Sequence, residues 1–162
     1  MYNDINKKIK IVIFGCGNMG EAILSTWLEE GVKKENIYII DPHPSNWLLN
    51  QKKYGLNLNQ VFPKKAEICL IAVKPQIINS VIKDLKKFDV NKTIFLSIVA
   101  GKKFEFFEEK INSNVKLVRA MPNTPAKIKK SITSLISNRN VEEKDFVLAN
   151  NLFNLIGETI YI

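Results

Sequence analysis

Short apolar runs rich in β-branched residues recur along the chain at Ile9 to Phe14, Ile37 to Ile40, Ile68 to Val73, Thr93 to Val99 and Val115 to Val118. Each reads as a strand. The early runs are almost continuously apolar instead of alternating, which predicts strands covered on both faces, as in a parallel sheet. Helical spacing separates several of them. Ala22, Ile23, Trp27 and Leu28 fall on one side of a helix that stops at Gly31. A second helix, Gln76 to Lys87, turns Ile77, Ile78, Val81, Ile82 and Leu85 inward and leaves Lys83, Lys86 and Lys87 to water. Near the end, Asn140 with Glu143 three residues on reads as a capping box. Phe146, Ala149, Leu152, Phe153 and Ile156 then share a face, Gly157 marks the stop, and Glu158 to Ile162 returns to strand character.

The first strand runs straight into Gly15-Cys16-Gly17-Asn18-Met19-Gly20, a G-x-G-x-x-G spacing that opens a helix. Gly15 permits a tight turn, Gly17 lets the backbone approach a pyrophosphate without a Cβ between them, and Gly20 lets the helix pack against the strand. The free N–H groups at the helix N-terminus then face the phosphates. Strand, glycine turn and helix within an alternating βαβ pattern predict an α/β, doubly wound, Rossmann-like fold, a mostly parallel sheet with helices on both faces.

At 162 residues the chain is expected to form one domain, with about 70% of its unfolded surface buried. Its formal charge is +8, but the cations are almost all scattered lysines with no interleaved aromatic residues. That distribution argues against a nucleic-acid surface. Cys16 and Cys69 have no metal-ligand spacing and read as reduced thiols, so no metal site is expected. The opening segment, Met1 to Lys10, is polar and Lys-rich, with no apolar stretch after it suited to a signal peptide or membrane span. A cytoplasmic protein is the expectation.

Several residues stand where strands meet turns. Asp41 ends the second strand, about twenty residues past the last glycine, where a carboxylate would accept the hydroxyls of an adenosine ribose. It reads equally as a turn former in Asp41-Pro42-His43-Pro44. His43, the only histidine, reads as an exposed loop residue. Lys74, in Ala72-Val73-Lys74-Pro75, could reach a ribose hydroxyl or phosphate, or belong to a plain turn with Pro75 opening the next helix. Ser97 to Gly101 closes another strand with small residues. Arg119 to Ala126 brackets Asn123 and Thr124 between Pro122 and Pro125, a stiff loop suited to holding polar groups in place.

In order and spacing, Phe14 to Gly20, Ala72 to Gln76, Ser97 to Gly101 and the Met121-Pro122-Asn123-Thr124-Pro125 loop resemble the pyrroline-5-carboxylate reductase family. The resemblance implies an oxidoreductase that reduces 1-pyrroline-5-carboxylate to L-proline with NADPH or NADH, in proline biosynthesis. It implies that residues 1–162 are the NAD(P)-binding domain and that the family's C-terminal helical dimerisation domain is absent. By the same resemblance, Phe14, Gly15, Cys16, Gly17, Asn18 and Met19 meet the pyrophosphate. Ala72, Val73, Lys74 and Pro75, with Ile98, Val99 and Ala100, line the ribose and nicotinamide. Asn123 lies near the reacting ring, and Asn59 matches a position that touches the adenosine half in some relatives. The implied partners are the dinucleotide and a cyclic imine, with a homo-oligomer or a separate helical-domain chain completing the molecule, and neither nucleic acid nor membrane. The alternative is a dinucleotide-binding module without reductase activity of its own.

Two departures stand out. Lys127, Lys129 and Lys130 replace residues that are usually apolar or glycine in the family. No Arg follows Asp41 to meet a 2′-phosphate, which tilts the expectation toward NADH.

Overall fold

In the computed structural model, which describes residues 8–162, the apolar runs form the centre of one sheet. The polar opening segment read from the sequence lies mostly outside the described residues. The strands are β1 (Ile11–Phe14), β2 (Ile37–Ile40), β3 (Asn57–Leu58), β4 (Ile68–Ile71), β5 (Ile94–Ser97), β6 (Lys116–Met121), β7 (Ser131–Ser137) and β8 (Gly157–Tyr161). Their order is β3-β2-β1-β4-β5-β6-β7-β8, with every neighbouring pair parallel except β6 and β7. The helices are α1 (Asn18–Glu29), α2 (Asn46–Lys53), α3 (Ile78–Leu85), α4 (Phe104–Lys110) and α5 (Glu143–Asn154).

The strands carry two cores because successive side chains point to opposite faces. Ile11, Ile13, Ile37 and Leu70 pack with Ile23, Leu24 and Trp27 of α1, Leu48 of α2 and Phe153 of α5. Val12, Phe14, Cys69, Ile71 and Phe95 pack with Ile78 and Leu85 of α3 and Phe107 of α4. Strands buried on both sides have no polar face, which accounts for their unbroken apolar sequences. A Trp27 Nε1 bond to the Leu152 carbonyl at 2.9 Å links α1 to α5.

Some local expectations shift. The second predicted helix opens as a 3-10 turn, Pro75–Ile77, and Ile77 is exposed instead of inward. The last helix is capped by Glu142, not Asn140, in a reciprocal box with Asp145. Asn140 is engaged elsewhere, donating through Nδ2 to the carbonyls of Ser113 and Val115. β3, β7, α2 and α4 are additions to the elements read from the sequence.

Candidate functional site

The strand order reverses between β1 and β4, and the glycine turn follows β1 at that point. Open α/β sheets form their ligand crevice at such a reversal, beyond the carboxyl ends of the strands. Gly15 has φ +79°, and a Cβ there would lie 2.9 Å from Val73 Cγ1 and 3.0 Å from the Ala72 carbonyl oxygen. This turn is therefore pressed against the segment leaving β4. At Gly20 a Cβ would come within 3.3 Å of the Gly15 oxygen, so the glycine allows α1 to lie close. Gly17 differs from both: its φ is −75°, and an added Cβ would meet no atom within 4 Å. It faces open space, and among the described residues no side chain caps α1. The first N–H groups of the helix have no intrahelical partner, so the turn fits an anionic group such as a pyrophosphate.

Not every N–H in the turn is available. Gly15 N donates to the Ile40 carbonyl and Cys16 N to Asp41 Oδ2, at 2.9 and 2.8 Å. Asp41, nearly buried, also accepts the His43 N–H through Oδ1. Its carboxylate thus ties the end of β2 to the glycine turn. Asn59, at φ +54°, accepts the Asp41 N–H through Oδ1 and donates through Nδ2 to the Asp41 carbonyl, acting as a strand partner made of one side chain. Both residues read as ribose or adenosine contacts therefore hold the backbone at the crevice edge.

Of the remaining sequence candidates, Gly17, Asn18, Lys74, Pro75 and Ala100 are exposed along this edge, while Phe14, Cys16, Val73 and Val99 are buried. Met19, Ala72 and Ile98 are half-buried. Pro75 opens the 3-10 turn after β4, as the plain-turn reading holds. His43 is exposed. Asn123 accepts the Ile132 N–H through Oδ1 at 2.9 Å, and its N–H reaches Ser131 Oγ at 3.3 Å. Its Nδ2 has no partner among the described residues, so Asn123 presents a donor. The stiff loop continues as a 3-10 turn, Thr124–Ile128, laid against α1, with the Thr26 hydroxyl donating to the Ala126 carbonyl.

Two clefts are of ligand size, and the second adjoins the glycine turn. One, of about 450 Å³, is lined by Ile40, Asn59, Gln60, Val61, Phe62, Lys64, Asp84 and Lys87. The other, of about 320 Å³, lies between α1 and the 3-10 turn and is lined by Asn18, Met19, Glu21, Ala22, Thr124 and Lys127. Glu21 went unremarked in the sequence, where a glutamate on the polar side of a helix carries no signal of its own. Burial, with Asp41 and Glu21 nearby, pushes the Cys16 thiol up to about 12, and burial alone raises Cys69 well above its ordinary value. Both thiols are accordingly neutral and unsuited to nucleophilic work. Among the described residues no three His, Cys, Asp or Glu side chains converge on a metal-sized site, and no helix is long and apolar enough to cross a membrane.

Residues 10–101 match the family described as NADP oxidoreductase, coenzyme F420-dependent. Over 159 residues the chain is 31% identical to the pyrroline-5-carboxylate reductase of Haemophilus influenzae, covering 94% of this chain and 57% of that protein. Over 153 residues it is 32% identical to the Escherichia coli reductase of the same name, covering 92% and 57%. A crystal structure of Plasmodium falciparum pyrroline carboxylate reductase with NADP bound superposes with a TM-score of 0.81 at 29% identity, covering 96% of this chain and 58% of that one. The chain spans a little over half the length of these relatives.

Proposed function

From the premise that the chain belongs to the NADP oxidoreductase, coenzyme F420-dependent family, we propose that its crevice binds NADPH or NADH and that it is the dinucleotide-binding domain of a reductase converting 1-pyrroline-5-carboxylate to L-proline. The observation that carries this reading is the glycine turn, with Gly17 open to solvent at the uncapped N-terminus of α1. The names of the relatives supply the substrate.

In this reading the N–H groups of Gly17, Asn18 and Met19 take the pyrophosphate. Asp41 and Asn59 keep that loop in shape through Cys16, and the cleft beside Asn59 would take the adenosine. Lys74 and Pro75 border the path from β4, and Ile98, Ala100 and Asn123 border the nicotinamide. Asn123, with Oδ1 held by Ile132, offers its Nδ2 hydrogens to a carbonyl or carboxylate oxygen near the reacting ring.

The dinucleotide, when bound, supplies the hydride. The protein's part is orientation, since a protonated imine is already electrophilic and needs no strong acid beside it. Two free buried cysteines support a cytoplasmic setting for the reaction. A helical portion, in the same polypeptide or a partner, would complete the substrate pocket and the oligomer.

The test is NADPH and NADH oxidation by the purified chain with 1-pyrroline-5-carboxylate, beside direct titration of both dinucleotides. Binding with turnover supports the full reading. Binding without turnover supports the dinucleotide-binding domain and directs the search to the portion that completes the pocket. No binding of either dinucleotide refutes the proposal.

A further inference from the structure

Glu21 occupies the first turn of α1, beside the N–H groups that face the open crevice. Its Oε2 accepts from Ser45 Oγ at 2.9 Å, which fixes the carboxylate. A fixed anion there repels any second anion brought to the same helix end. Its Oε1 lies 3.9 Å from Lys127 Nζ, across the cleft that Asn18 and Thr124 also line.

Lys127 differs from the cations around it. Lys129 is held by Glu30, with Glu29 at 3.9 Å, and Lys130 lines neither cleft. The Lys127 side chain is 62% exposed and, among the described residues, makes only the long contact to Glu21. Such a pair contributes little and is easily exchanged for another anion. Its backbone, in contrast, is well placed. Ala126 is buried and accepts the Thr26 hydroxyl, so the 3-10 turn stays against α1 while the lysine head is free to move.

We propose that Lys127 is a cofactor-positioning residue: when the dinucleotide enters, its ammonium bridges from Glu21 to the pyrophosphate and offsets the repulsion between those two anions. The inference rests on the dinucleotide-binding reading above and adds to it a phosphate ligand outside the glycine turn.

The experiment is NADPH titration, followed by its fluorescence, at low and high salt with the unsubstituted chain and with Lys127→Ala, Lys127→Arg and Glu21→Gln. Lys127→Ala should weaken binding by roughly tenfold at low salt, the scale of one charge-assisted contact. It should also flatten the salt dependence while leaving the melting temperature in place, a combination that a merely structural role would not produce. Lys127→Arg should hold affinity within about twofold, and Glu21→Gln should tighten binding. If the unsubstituted chain binds NADPH and Lys127→Ala binds it equally well with the same salt dependence, the inference is overturned and the dinucleotide site stands. If the unsubstituted chain binds no dinucleotide, both fall together.

Discussion

Gly15 and Gly17 stand two residues apart in unlike surroundings. At Gly15 a methyl group would meet Val73 and the Ala72 carbonyl from a left-handed backbone conformation. Gly15→Ala should therefore cost about 2–3 kcal/mol of stability, read as a lower melting temperature. Gly17→Ala meets no protein atom and needs no unusual φ. Its melting temperature should stay where it is while NADPH affinity falls by about tenfold or more; unchanged affinity would show that the pyrophosphate does not approach Gly17. The spacing of the glycines was legible in the sequence because it is a pattern of neighbouring positions, whereas the crowding at Gly15 comes from Ala72 and Val73, far along the chain. The task of Asn59 was not legible, since its amide bonds a residue 18 positions away whose place depends on how β2 and β3 end.

Elements were legible in proportion to their apolar patterning. The central strands and α5 were found because long apolar runs and a helical stripe leave a clear period. β7 was missed, since Ser131-Ile132-Thr133-Ser134-Leu135-Ile136-Ser137 buries small polar residues, with the hydroxyls of Ser131 and Thr133 only 3.3 Å apart. The start of α5 was displaced by two residues for a related reason. Asn140 is engaged with the Ser113 and Val115 carbonyls, and Glu142 caps the helix instead. Asp145 closes that cap and also pairs with Lys116 at 2.9 Å, both side chains largely buried. Asp145→Ala should destabilise the fold by about 1–3 kcal/mol at neutral pH in chemical denaturation. Hydrogen bonding to Asp145 raises the Lys116 pKa, so the folded state holds that proton more tightly than the unfolded chain. The stabilisation is present below the ordinary lysine value of 10.5 and is lost as pH rises through the folded value. The gap between the two proteins should narrow over that alkaline range and stay constant around neutrality.

Over the whole molecule, the far end of the sheet is its least covered part. In register, Ser134 of β7 stands beside Ile160 of β8, which sets Ile132 and Ile160 on one face, about half exposed each. β8 is also an edge strand without a lysine or proline to discourage pairing. Concentration-dependent association should follow, visible by sedimentation. Ile160→Lys should reduce it with little change in melting temperature, and association of equal strength in that variant would place the contact elsewhere. Sequence alone determined the α/β class, the two-sided burial of the central strands and the place of the glycine turn, because apolar period and glycine spacing are patterns of neighbouring positions. Only the tertiary structure decided that Asp41 and Asn59 support the turn, that Lys127 answers Glu21, and that β7 runs against its neighbour β6. The side-chain relations among them join residues 18, 25 and, by difference of position, about a hundred apart. They depend on where the loops close once the strands have stacked, and no local period encodes that closure.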